Sequence, residues 1–223
     1  PVEGIGKIEI VRGAASLQYG TQFGGLINFT MKKPVADKKI QLIARQTVGS
    51  FGFYNAFTSV SGTVGKLSYY TFFQYKRGNG WRPNATFNSY TLYSNINYAV
   101  TPNTKIGLDL TRMNYLAQQP GGITDDMFET NPRQSNRKRN WFSVNWNMLA
   151  LHFDHKINSS SDFNVRIFGL YANRYSVGFR PNRVATEDEG EVRDLIKGNF
   201  ENVGAEARYL KRYKIKNMPS VLL

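Results

Sequence analysis

Period-two alternation of apolar and polar residues runs through most of this chain and constrains its fold more than any other feature. Residues 40–48 set Ile40, Leu42, Ala44 and Val48 against Lys39, Gln41, Arg45 and Thr47. Residues 90–98 set Tyr90, Leu92, Ile96 and Tyr98 against Thr91, Asn95 and Asn97. Ile106, Leu108 and Leu110 oppose Lys105, Asp109 and Thr111, and Val203, Ala205, Ala207 and Tyr209 oppose Asn202, Glu206 and Arg208. Successive side chains of a strand point to opposite faces, so each segment reads as a strand with one greasy and one wet face. Further strands fit 55–61, 67–76, 142–154 and 163–174 with a less regular pattern. Helical periodicity is nearly absent.

The connections add direction. Short turns are expected at 62–66, 100–104 and 155–161, and longer loops at 77–87, 116–140 and 175–199. Short and long connections therefore tend to alternate, as in an up-and-down antiparallel meander whose two ends face different surroundings. Several segments reach the roughly 9–11 residues a tilted strand needs to cross a bilayer. Tyr90 and Tyr98, at the two ends of one strand, suit the aromatic girdles of membrane barrels. Periodicity alone leaves a soluble all-β sandwich open.

Composition narrows the choices. There is no Cys, which removes disulfides, thiolate metal sites and a cysteine nucleophile. No apolar run is long enough for a transmembrane helix. The chain carries 29 Lys and Arg against 16 Asp and Glu, a formal charge of +13. That balance fits nucleic acid, an anionic membrane surface or an anionic ligand. The start at Pro1-Val2-Glu3 and the stop at Val221-Leu222-Leu223 are expected of a piece of a longer protein.

The first 34 residues differ from the meander. Ile8-Glu9-Ile10-Val11-Arg12-Gly13 is a short strand and its stop. Ser16-Leu17-Gln18-Tyr19-Gly20 carries a turn, Gly24-Gly25-Leu26-Ile27-Asn28-Phe29 opens a second strand, and Lys32-Lys33-Pro34 ends it. This order and spacing resemble the end of the plug domain of TonB-dependent outer-membrane receptors. Gln119-Pro120-Gly121-Gly122-Ile123-Thr124, Phe128, Arg133-Gln134-Ser135 and Arg137 are similar to a loop of the ferric-citrate members of that family, and Phe163 to Tyr171 resembles the strand after it.

The resemblance implies an all-β chain: residues 1–34 the C-terminal part of a plug, residues 35–223 the N-terminal part of a transmembrane barrel. About eight up-and-down strands would be present, out of about 22 in the family's plugged barrels. It implies the outer membrane of a Gram-negative bacterium, uptake of a ferric chelate such as ferric citrate, and TonB as partner through parts outside this chain. Outer-membrane lipids and lipopolysaccharide are expected neighbours. No cofactor is expected beyond the transported chelate, and no enzyme activity.

An anionic chelate calls for Arg, whose planar fork meets carboxylate in a bidentate fashion. The expected outer loops hold Arg77, Arg82, Arg133, Arg137, Lys138, Arg139, Arg174, Arg180, Arg183 and Arg193. The resemblance singles out Gln22 on a plug apex loop and Arg174, Arg183 and Arg193 at the barrel mouth as ligand contacts. The acidic run Glu187-Asp188-Glu189 would oppose an anion there. The resemblance also implies charged plug–wall contacts, with Glu9 and Arg12 on the plug and Glu206 on the wall.

His152 and His155 fall on opposite faces of a strand and cannot share a metal there. Asp125-Asp126 reads as a solvated loop pair. Two competing functions stay open: the same architecture with another cargo, cobalamin or a glycan, and a soluble basic β-module for nucleic acid. The second predicts basic and aromatic residues interleaved on one sheet face; here much of the charge falls in loops, so no nucleic-acid partner is expected.

Overall fold

The computed structural model describes residues 1–13 and 24–222. A single 3-10 turn, Val2–Gly4, leads into β1 (Ile5–Val11), which pairs antiparallel with β2 (Leu26–Met31) in a two-stranded sheet. A second sheet has nine strands: β3 (Gln41–Gly49), β4 (Phe53–Val64), β5 (Leu67–Gly78), β6 (Phe87–Thr101), β7 (Thr104–Gln118), β8 (Trp141–Asn158), β9 (Ser161–Gly178), β10 (Asp194–Ile215) and β11 (Met218–Leu222). Each strand pairs antiparallel with its chain neighbours, and β3 and β11 are the edges.

The two ends of the wall differ sharply. At one end the connections are the two-residue turns 65–66, 102–103, 159–160 and 216–217. Lys216 and Asn217 both take positive φ, 47° and 67°, the geometry a tight hairpin between right-twisted strands demands. At the other end lie a tight turn at 50–52 and the loops 79–86, 119–140 and 179–193. The last of these is shorter than the expected 175–199, because β9 runs on to Gly178 and β10 starts at Asp194. Residues 218–222 form β11, which makes nine wall strands where about eight were expected.

One face of the wall receives the β1–β2 hairpin. The Glu3 carboxylate accepts from Asn55 Nδ2 on β4 at 3.1 Å and from Gln74 Nε2 on β5 at 3.2 Å. Met31 packs against Phe57, Tyr70 and Phe72, which are 1–3% exposed, and Phe72 stacks on Tyr93 at 5.4 Å. Gly4 lies so close that a Cβ there would come within 2.6 Å of the Phe72 ring. The buried core is thus the seam between hairpin and wall.

Register carries this assignment of faces across the sheet, because directly paired residues share a face. On the inner face Tyr93 and Asn95 donate to Asp109 at 3.0 and 2.7 Å, and His152 bridges Asp109 and Asn97 at 3.4 and 2.8 Å. Arg166 pairs with Asp154 at 3.2 Å, Arg212 with Asp162 at 2.5 Å, and Arg208 with Glu206. The outer face carries the apolar set: Ile96, Leu108, Leu151, Ile167 and Ala205 lie in one continuous row of paired positions. Nearer the loops that face changes character, and Asn114, Asn145, Asn173 and Asn199 form a row of their own. On β5 and β6 the corresponding positions are still Tyr75 and Tyr90. The apolar belt therefore runs obliquely to the pairing rows.

Candidate functional site

The loop-bearing end gathers most of the arginines singled out in the sequence, and it divides them into two groups. The first group is used up in holding loops together. Arg82 gives Nε and Nη2 to the Gln134 carbonyl at 2.9 and 2.8 Å, and Nη1 to the Gly121 carbonyl at 2.8 Å. Arg133 gives Nε to the Trp81 carbonyl at 3.0 Å and lies over the Phe51 ring. Arg137, only 6% exposed, bonds the carbonyls of Asn136 and Thr186 at 2.8 and 2.5 Å and lies over Phe179. Arg139 takes both oxygens of Asp188, Nε to Oδ2 at 3.1 Å, and the Glu191 carbonyl at 2.9 Å. Asn140 adds a reciprocal pair with the Phe179 backbone. Loops 79–86, 119–140 and 179–193 are thereby joined into one assembly through backbone carbonyls.

These contacts follow from chemistry the sequence already held. Long irregular segments leave many carbonyls without ladder partners, and a guanidinium has five donors to offer them. Gly121 takes φ 81°, and a Cβ there would meet Asn136 Oδ1 at 2.4 Å, so the close passage of these segments needs glycine. Thr124 caps the short helix α1 (Asp125–Thr130), accepting from Met127 N at 3.3 Å. Asp125 and Asp126 occupy its first turn, where negative charge meets the helix N-terminus favourably.

The second group is free to act. Arg174 lies on the inner face of β9, paired with Gly198 and Val144, with its guanidinium over the Phe142 ring at 5.5 Å. Arg183 sits in loop 179–193 and Arg193 immediately before β10. All three are exposed, and no carbonyl or carboxylate among the described residues accepts from them. They share the mouth end of β9 and β10. Gln22 lies outside the described residues.

Asp188, in the middle of the acidic run, is committed to Arg139. Hydrogen bonding from Arg139 holds its carboxyl below the usual aspartate range, and its side chain is fully covered. Glu187 and Glu189 stay exposed.

Among the described residues Glu9, Arg12 and Glu206 do not meet one another across the seam between hairpin and wall. Glu9 pairs with Lys7 at 2.5 Å and accepts from Asn28 at 3.0 Å, because Asn28 is its direct partner across the hairpin. Glu206 pairs with Arg208 on its own strand. Arg12, at the end of β1, is exposed, and no described carboxylate pairs with it. The residue that crosses the seam is Glu3, held by two amides. Nothing in its local sequence marks it, since Asn55 and Gln74 become neighbours only through the β4–β5 register. The contacts of His152 with Asp109 and Asn97 were missed for the same reason; His155, on the opposite face, bonds Thr104. No group of three or more His, Cys, Asp or Glu side chains among the described residues is arranged to hold a metal.

No protein-family sequence model matches the chain. Solved structures do match in fold. The ferric citrate transporter FecA, in its unliganded form, aligns with a TM-score of 0.79 at 22% identity, over 95% of this chain and 32% of its own. FpvA from P. aeruginosa, bound to an iron-loaded pyoverdine, aligns at 0.77 and 12% identity over 96% of this chain and 30% of its own. The copper transporter OprC aligns at 0.72 and 11% identity over 98% and 32%. The chain spans about a third of the length of these structures. Its hairpin packed on an antiparallel wall, with polar residues inward and an apolar belt outward, is similar in fold to about a third of a TonB-dependent outer-membrane receptor.

Proposed function

We propose that this chain is the plug end and first wall segment of a Gram-negative outer-membrane receptor that imports a ferric chelate, ferric citrate being the cargo its charge favours. The observation that carries the cargo class is the division of the arginines. Arg82, Arg133, Arg137 and Arg139 are engaged in joining the loops, while Arg174, Arg183 and Arg193 make no side-chain hydrogen bond among the described residues and are open to a ligand. Several guanidiniums without carboxylate partners at one mouth suit a multiply anionic chelate. The likeness to FecA, FpvA and OprC supports the architecture and leaves cargo open, so the same architecture with another metal complex, cobalamin or a glycan is the alternative.

In this reading the protein is a transporter without catalytic chemistry. The chelate enters from the loop end, is held by Arg174, Arg183 and Arg193 with Gln22 below, and passes when TonB, acting on parts outside this chain, moves the plug. Loops 79–86, 119–140 and 179–193 shift as one block because Arg82, Arg137 and Arg139 tie them. The apolar belt contacts outer-membrane lipid, and the basic loop end adjoins lipopolysaccharide.

The test uses the full-length protein. Fractionation with outer membranes examines the receptor architecture. Tryptophan fluorescence titrated with ferric citrate and with iron-free citrate examines the cargo. A saturable change with the ferric complex at micromolar concentration is expected, and its absence removes citrate as cargo.

A further inference from the structure

A cavity of about 530 Å³ lies in the seam between the hairpin and strands β3–β5, far along the wall from the loops. It opens beside Gln41 and Ser61, near the end that carries the two-residue turns. Three features of its lining point to a ligand. The Tyr70 hydroxyl is buried, with the residue 3% exposed, and has no hydrogen-bond partner. A buried hydroxyl left without a partner is costly, so a donor kept free in a cavity wall awaits an acceptor. Lys32 and Lys33 also line the cavity, and no described carboxylate pairs with them. The one carboxylate in the lining, Glu9, is already matched by Lys7.

Free donors, unmatched ammonium groups and a neutralised carboxylate together select an anion. We propose that this seam cavity is a second anion-binding site, taking a carboxylate or similar oxyanion between the Tyr70 hydroxyl and the ammonium groups of Lys32 and Lys33. Its place in passage rests on the receptor reading above: an anionic chelate that has left the mouth arginines meets this site at the far end of the plug–wall seam. The site itself stands on the cavity.

The seam is suited to such a role because it is closed mainly by contacts that can be remade. The linker after β2 is pinned to β4 by three bonds, Val35 N to Ser61 Oγ at 2.9 Å, Thr63 Oγ1 to the Val35 carbonyl at 2.8 Å and Thr63 N to the Lys38 carbonyl at 2.8 Å. Movement of the hairpin would widen the cavity while the Tyr70 ring stayed packed in the wall, between Phe72 and Tyr93.

The test uses crystals of the full-length receptor soaked in selenate, an oxyanion located by its anomalous scattering. An anomalous peak within hydrogen-bond reach of Tyr70 and Lys32 is expected. It should be lost in a variant combining Tyr70→Phe and Lys32→Gln, with selenate affinity lowered about tenfold. Both substitutions keep side-chain shape, and Tyr70→Phe alone, which retains the whole ring, is the folding control. No peak in the wild type overturns the site. Whole-cell uptake examines passage: a slower rate at saturating ferric chelate, with unchanged affinity at the cell surface, supports it, and an unchanged rate overturns it. A receptor that binds no ferric chelate yet shows the selenate peak would sink the cargo reading and leave the site standing.

Discussion

The Arg139 guanidinium closes on Asp188 with two hydrogen bonds across 49 residues of sequence, joining loop 119–140 to loop 179–193. Asp188 Oδ1 also accepts from Gly190 N at 3.3 Å, so one carboxylate organises the turn of its own loop. This carboxyl is held below the ordinary aspartate value, first by the hydrogen bond from Arg139. A depressed folded pKa stabilises the loop fully above the unfolded value, and that contribution disappears as pH falls through the folded one. Hydrogen exchange at Gly190, corrected for intrinsic rate, should therefore be flat from neutral pH down to about pH 4 and accelerate below it. Asp188→Asn should show the faster exchange already at neutral pH. Flat protection in the wild type down to the lowest accessible pH would mean that the pair does not hold the loop.

The two groups of arginines separate by experiment. Replacing Arg183 and Arg193 with Gln should weaken ferric chelate binding about tenfold, the scale of one or two charge-assisted hydrogen bonds. Loop protection should stay as it was. Arg137→Ala should do the reverse first, since it frees the carbonyls of Thr186 and Val184 and uncovers Phe179. Its binding defect should come with loss of exchange protection throughout loop 179–193. If Arg183→Gln with Arg193→Gln leaves affinity untouched, those side chains merely face solvent.

The strand faces were legible in the sequence because a wall with one apolar and one polar face writes them in alternation. Leu42, Leu92, Leu108 and Val203 all fall on the outer face, as their spacing implied. The upper half of β10 was not legible. Leu195 and Ile196 stand side by side among polar neighbours, so no alternation marks the strand there, and the segment up to Asn199 reads as loop. The mouth was half legible. Residue type placed arginines there, but Arg137 and Arg183 differ only in whether folded loops bring carbonyls to them. Glu3 was invisible because its partners are uncharged amides on strands 50 and 70 residues away.

The Glu3 contact predicts an unusual order of substitutions. Asn55 and Gln74 are 5% and 3% exposed, so removing their acceptor leaves two covered donors unpaired. Glu3→Ala should destabilise the docking of the plug end by about 1–3 kcal/mol. Asn55 Oδ1 has no partner, and a glutamine amide at position 3 has both a carbonyl and donors to offer. Glu3→Gln should accordingly lose much less than Glu3→Ala. Urea titration of the full-length receptor, followed by fluorescence, gives the ranking. Equal losses for the two would show that charge, and not hydrogen-bond matching, holds the seam.

The outer face offers a test of depth on single strands. Leu151 is 50% exposed and paired with Leu108 and Ile167 inside the apolar belt. Asn145 lies six residues nearer the loops on the same face of β8, in the row of asparagines. A lysine in the hydrocarbon layer must desolvate its ammonium or reach for the interface, and near the midplane this costs about 2–4 kcal/mol, falling to about 0–1 near the interface. Leu151→Lys should therefore lower the folding stability of the full-length protein in lipid vesicles by that larger amount, while Asn145→Lys should be almost neutral. In a water-soluble sheet the order would not hold, because an exposed leucine exchanged for lysine costs little there. Equal and small effects at both positions would thus remove the membrane assignment of this face, and the outer-membrane reading with it.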